Sequence, residues 1–219
     1  MKVLTIIIPV YNEEKTILRI LKRIKETKSD NIKYEIIVID DGSNDKTCEI
    51  LEENINLYTI FIKNKRNKGK GFVVKEGLKV ANGDYIIFQD ADQEYDPYEI
   101  NKFVDMINNY DPDLILGSRF RYDKYTRSYN FLNKIGNLVI TTCFNLFYNT
   151  TFTDVYCCYA CFKKELLDFN QLRTYGFEQH AEILCKIVKK GKKLYEVPVN
   201  YNGRTIAEGK KIRFYHMIP

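Results

Sequence analysis

The strongest constraint on the fold is a set of short apolar runs that do not alternate with polar residues. They are Val3–Pro9, Glu35–Asp40, Tyr58–Lys63, Asp84–Gln89 and Leu114–Gly117. A strand wetted on one face alternates, whereas a strand covered on both faces reads as one apolar block, the habit of a parallel sheet between helices. The intervening stretches fit that reading. Glu13–Thr27 sets Ile17, Leu18, Leu21 and Ile24 on one helical face, and Lys46–Glu53, Gly71–Val80 and Pro97–Asn109 repeat the pattern. Pro97 suits the first turn of its helix and Asp45 the cap of another. The succession is βαβ, so an α/β chain with a Rossmann-like, mostly parallel sheet flanked by helices is expected.

Beyond Gly117 the pattern loosens. Arg119–Tyr129 is basic and aromatic, Asn130–Phe147 and Gln179–Lys189 read as helices, and Lys193–Val199 reads as a short strand. Phe144, Phe147, Tyr148 and Phe152 are read as core ahead of a membrane-facing lipid groove, and Lys189, Lys190, Lys192 and Lys193 as a solvated turn ahead of a basic patch for anionic lipid. No linker or repeat divides the chain. Its 219 residues, 45% of them hydrophobic, suffice for a single domain over 1–219, in which 118–219 completes a site begun by 1–117.

Charge is less telling, because 34 basic against 29 acidic residues leave only +5. That balance admits an anionic ligand or membrane surface but is no nucleic-acid tail. The most apolar stretch, Phe131 to Tyr148, is broken by Asn133, Lys134, Asn137 and Asn145, so no spanning helix is expected. Six cysteines in a chain too large to need staples, with strand-like residues already at Val3, point to a reducing, cytoplasmic setting. Cys157, Cys158 and Cys161 lack the second ligand pair of a zinc site and read as buried thiols. His180 and His216, the two histidines, form no triad pattern.

Ligands of open α/β sheets bind beyond the carboxyl ends of the strands. The residues there are polar: Pro9-Val10-Tyr11-Asn12-Glu13, Asp40-Asp41-Gly42-Ser43, Asp90-Ala91-Asp92-Gln93-Glu94 and Ser118-Arg119. Asp90 and Asp92 flank a small residue, and hard oxygen ligands at that spacing can hold Mg²⁺ or Mn²⁺ while leaving positions for phosphate. Alone, such a pair is more readily an acidic surface loop. Asp41 can accept hydrogen bonds from a base or ribose, and Gly42 allows a tight turn; the competing reading is an Asx turn with a helix cap. Asn67-Lys68-Gly69-Lys70-Gly71 precedes a helix and can approach phosphate, though it matches neither a Walker loop nor the dinucleotide fingerprint.

Taken in order, PVYNEE, DDGSNDKT, NKGKG, DADQEYDP and GSR resemble the family-2 glycosyltransferases, particularly those that load sugars onto polyprenyl phosphates. TDVYCCYACFKKE, YGFEQHAEI, YEVPVNY and NGRTIAEGKK extend the likeness over nearly the whole chain. The resemblance implies a GT-A fold, a divalent metal, a nucleotide-sugar donor and inversion at the anomeric carbon. By position it implies donor contacts at Pro9, Tyr11, Glu13, Asp41, Asp90, Ala91, Asp92, Arg204 and Lys210. Metal ligands fall at Asp90 and Asp92, with Glu94 as a third carboxylate where relatives often carry glutamine. Arg119 and Arg127 fall where the family places cations near the acceptor phosphate. Asp154 and Glu182 match carboxylates of the acceptor half. Ala160 and Gln179-His180 depart from the pattern.

The implied reaction is in-line attack on the anomeric carbon as the nucleoside diphosphate departs. A lipid-phosphate acceptor is already ionised and needs positioning by arginines, whereas a sugar hydroxyl needs a base, for which Asp154 and Glu182 are the candidates. Peripheral contact with the cytoplasmic membrane face accompanies the first alternative. Two rivals are a sugar nucleotidyltransferase, whose Gly-rich loop after the first strand is missing, and a nucleotide-sugar-binding remnant without activity.

Overall fold

The computed structural model describes residues 1–27, 29, 31–121, 131–176 and 178–204. Among the described residues seven strands form one sheet: β1 (Lys2–Val10), β2 (Ile32–Asp40), β3 (Ile60–Lys63), β4 (Tyr85–Phe88), β5 (Leu114–Ser118), β6 (Ala160–Lys163) and β7 (Leu194–Pro198). Their order is β3-β2-β1-β4-β6-β5-β7. β1 pairs in parallel with β2 and β4, β2 with β3, and β5 with β7. β6 alone is reversed, antiparallel to both β4 and β5. The carboxyl ends of the other six strands therefore share one edge, and there the polar loops gather.

The helices are α1 (Ile17–Glu26), α2 (Thr47–Glu53), α3 (Lys70–Val80), α4 (Ile100–Tyr110), α5 (Phe131–Tyr148) and α6 (Gln179–Val188). Neighbouring β1 residues serve opposite layers. Leu4, Ile6 and Ile8 join a core with α1 and α4, while Ile7 joins Ile37, Ile39, α3 and α6 on the other face. That two-sided burial is why the run is continuous in sequence. Pro97 opens a 3-10 turn leading into α4, capped by the Asp96 carboxylate accepting from the Tyr98 N–H. The Asp45 carboxylate accepts from the N–H and hydroxyl of Thr47, the first residue of α2.

One strand was missed and two expectations need correction. β6 was not legible, since four residues carry no period of their own and become a strand by pairing on both sides. α1 starts at Ile17 rather than Glu13, because the Glu13 carbonyl accepts the N–H groups of Thr16 and Ile17 and closes a turn there. Of the aromatic run read as core, Phe144 and Phe152 are buried, but Phe147 is 84% exposed. Among the described residues no helix is long and apolar enough to cross a membrane.

Candidate active site

At the carboxyl edge of the sheet lies a crevice of about 300 Å³. Pro9, Tyr11, Glu13, Asp41, Asp90, Ala91, Asp92, Glu94 and Arg204 all line it, joined by Val10, Asn67, Gly69, Lys70 and Val73. The loops after β1, β2 and β4 and the segment after β7 thus meet in one place. Lys210 and Arg127 lie outside the described residues.

The loop after β2 takes the Asx turn that was one of the two readings made of it. Asp40 is fully buried and accepts from the N–H groups of Gly42 and Ser43, an Asx turn. Gly42 has φ +74°, and a Cβ there would meet the Arg66 carbonyl carbon at 2.6 Å, so glycine is required. Asp41 points the other way, accepting at 2.8 Å from the N–H groups of both Lys68 and Gly69. It holds the glycine-lysine loop against the crevice. The two lysines of that loop diverge: Lys68 lies over the Phe72 ring at 4.1 Å, while Lys70, on the first turn of α3, reaches Asp90 at 2.5 Å. Lys70 lay within a motif legible in sequence, yet its carboxylate partner was not.

Asp90 and Asp92 are held differently. Burial disfavours the Asp90 carboxylate, but Lys70 outweighs it and Asp90 titrates below the ordinary range. Burial and the charges of Asp90 and Glu94 push Asp92 up to about 7, against the opposing pull of Arg204, which pairs with it at 2.8 Å. This surplus of negative charge on hard oxygen atoms fits a divalent cation. Glu94 does not join them as a third ligand. Its oxygens accept from the Arg204 N–H at 2.7 Å and the Tyr201 hydroxyl at 2.8 Å, and its backbone carbonyl accepts from the Asn202 N–H. Glu94 therefore fastens residues 201–204 across the crevice mouth, and Arg204 reaches back from there to Asp92 and, at 3.5 Å, Glu13. Among the described residues no three His, Cys, Asp or Glu side chains converge as a metal site.

The acceptor-half residues form a second, adjoining network. Asp154 is fully buried and grips Arg119 with two bonds of 2.7 and 2.8 Å, with Asn137 of α5 donating a third at 2.9 Å. Burial works against the Asp154 charge, but Arg119 outweighs it, and the carboxyl sits below its usual range. The Arg119 guanidinium lies 5.3 Å from the Tyr201 ring centroid. Tyr201 thus touches both networks, a position that sequence reasoning missed. Glu182 lies apart from the crevice lining, where it accepts from the N–H groups of Arg173 and Thr174 and from the Thr174 hydroxyl. His180 is held at the Val155 carbonyl, and burial followed by Lys70 pushes its pKa down to about 4. Cys157 and Cys161 are buried as expected, but Cys158 is only partly buried.

The model of Glycosyl transferase family 2 matches residues 5–169. The chain belongs to family 2 of the glycosyltransferases. The UDP-N-acetylglucosamine–dolichyl-phosphate N-acetylglucosaminyltransferase of Methanococcus voltae is 32% identical, over 96% of this chain and 91% of that protein. The dolichol-phosphate mannosyltransferase of Pyrococcus furiosus is 31% identical over 94% of this chain, which spans 58% of that longer protein. Among solved structures, the glucosyl-3-phosphoglycerate synthase of Mycobacterium tuberculosis, in complex with Mn²⁺, UDP and glucosyl-3-phosphoglycerate, superposes with a TM-score of 0.70. It is 18% identical and covers 94% of this chain and 74% of its own, so the likeness is one of fold. This glycosyltransferase has the GT-A sheet, and its crevice lies at the edge where an open α/β sheet receives ligand.

Proposed function

We propose that this glycosyltransferase moves a sugar, with inversion, from a UDP- or GDP-sugar to a polyprenyl phosphate, using Mg²⁺ or Mn²⁺ held by Asp90 and Asp92. The carrying observation is the crevice itself, where two adjacent carboxylates, one pushed up to about 7, face Lys70 and Arg204. A divalent ion bound there supplies charge neutralisation for the departing diphosphate. Lys70 and Arg204, which pair with Asp90 and Asp92, would be the cations for the diphosphate oxygens. Pro9, Tyr11, Glu13 and Asp41 hold the base and ribose, in the half spanning 1–117. Two relatives named for dolichol-phosphate or dolichyl-phosphate substrates support the acceptor, and a neighbour in complex with Mn²⁺ and UDP supports the metal and the donor class.

The geometry favours an acceptor that arrives ionised. A sugar hydroxyl would need a base, and Asp154 is sealed against Arg119 while Glu182 is spent on its own loop. A phosphate needs only to be aimed, and Arg119, fixed by Asp154, is the cation assigned to it in this reading. The test is a thermal-shift series of UDP- and GDP-sugars with and without Mn²⁺, followed by transfer to a short polyprenyl phosphate. A nucleotide sugar that stabilises only with Mn²⁺, and transfer abolished by EDTA, is expected. EDTA-resistant transfer would remove the metal from the reading, and transfer only to hydroxyl acceptors would remove the lipid phosphate.

A further inference from the structure

Asp90 and Asp92 stand on a loop, residues 90–96, between β4 and the 3-10 turn that leads into α4. Within it Gln93 takes φ +62°, a left-handed conformation that a residue with a Cβ keeps only where its surroundings impose it. Such a loop must be held from outside, and one side chain reaches both of its ends. Tyr159, the residue before β6, is fully buried. Its hydroxyl proton is shared between Gln89 Oε1 and, at 2.9 Å, the Asp96 carbonyl. Gln89 is also fully buried and donates its amide to the Asp90 carbonyl at 2.9 Å. Tyr159 thus meets Asp96 directly and Asp90 through Gln89. We infer that Gln89 and Tyr159 are positioning residues, which fix the separation and aim of Asp90 and Asp92 and thereby set how tightly the crevice holds a divalent cation.

Tyr159 is itself firmly seated. Its carbonyl accepts from the Gly117 N–H of β5 at 2.8 Å, and its ring packs on Phe103 of α4 and on Tyr95, with centroids 5.4 and 5.1 Å away. Tyr95 belongs to the loop, and its ring in turn meets Tyr201 at 5.0 Å. Packing alone does not call for the polar atoms. A methionine and a phenylalanine would fill much the same space without burying an amide and a hydroxyl, groups that are costly to bury unless paired. Here the pairing is spent on the two backbone carbonyls at the ends of the carboxylate loop. Neither residue lines the crevice, so both act through that loop. The inference rests on the proposed role of Asp90 and Asp92 as cation ligands. Removing a group that orients a ligand from behind typically costs about ten- to a hundredfold in affinity.

The test titrates Mn²⁺ into the full chain with UDP and, in parallel, with GDP, counting the free ion by its electron paramagnetic resonance signal. The melting temperature of the ion-free protein is followed alongside. Tyr159→Phe, Gln89→Met and the double variant are each expected to bind Mn²⁺ about tenfold or more weakly than wild type, whatever their melting temperatures. Tyr34→Phe is the control: it removes a hydroxyl bonded to the Thr27 carbonyl at 2.6 Å, outside the crevice lining, and should lower the melting temperature without moving Mn²⁺ affinity. Where a single variant fails to fold, the double variant, apolar at both positions, carries the comparison. Wild-type Mn²⁺ affinity in the variants, equal weakening by Tyr34→Phe, or failure of all three variants to fold overturns the inference. Wild type that binds no Mn²⁺ with either nucleotide fails the metal reading and this inference with it. Wild type that binds Mn²⁺ while the variants match it fails this inference alone.

Discussion

Glu94 shows how one side chain can leave the place its motif suggests. Two residues beyond Asp92, it is spent on the Arg204 N–H and the Tyr201 hydroxyl. In the proposed reaction it acts on donor through Arg204, as a positioning residue. Glu94→Ala should raise the donor KM about tenfold or more with a smaller effect on kcat, the scale of losing hydrogen bonds to a charged group. Glu94→Gln keeps an acceptor for the Arg204 N–H and should recover most of that loss; equal damage from both variants would refute the positioning role. Asp92→Asn should behave oppositely to a structural lesion. It removes a crowded negative charge, so the melting temperature should hold or rise, while Mn²⁺-dependent turnover falls by about a hundredfold or more. Undiminished turnover would refute the assignment. For the sealed pair, Asp154→Ala leaves Arg119 uncompensated and should cost about 3–5 kcal/mol in urea unfolding.

Loops and strands carry the next level. The turn after β2 works because Gly42 takes a left-handed φ against the backbone of Arg66. Gly42→Ala should destabilise by at least about 1–3 kcal/mol and weaken nucleotide binding, since Asp41 next to it sets the loop bearing Lys70. Intact nucleotide affinity in a folded variant would uncouple that turn from the site. The same scale explains what was legible. β1, β2 and α3 announced themselves because burial on both faces, or on one helical face, leaves a period in the chain. β6 left none, as its reversed insertion between β4 and β5 depends on partners far away in sequence.

For the molecule as a whole, carboxylates held in the folded state set the response to acid. Burial opposes the charges of Asp154, Glu35 and Asp113, but Arg119, Thr5 and the Lys192 and Lys193 N–H groups among their partners prevail, and all three titrate below their unfolded values. A lowered folded pKa means stability that is complete above the unfolded range of about 4 and lost as pH falls through the folded values. Between neutral pH and about 5 the gain from Asp92, raised to about 7, opposes the loss from His180, lowered to about 4. The urea midpoint should therefore stay near level there and drop steeply below 4. A midpoint that stays level at pH 3 would show these partners contribute nothing.

The chain alone dictated the two-sided sheet, the edge where ligand enters and the residue types gathered there, because each leaves a local mark: an unbroken apolar run, a glycine at a turn, a carboxylate just past a strand. Pairing was decided only in three dimensions. That Lys70 answers Asp90, that Arg204 crosses to Asp92, that Tyr201 joins two networks and that α5 keeps its apolar side outward all depend on which distant segments the sheet order sets side by side. Spacing along a chain records what a residue can do, and packing chooses the partner with which it does it.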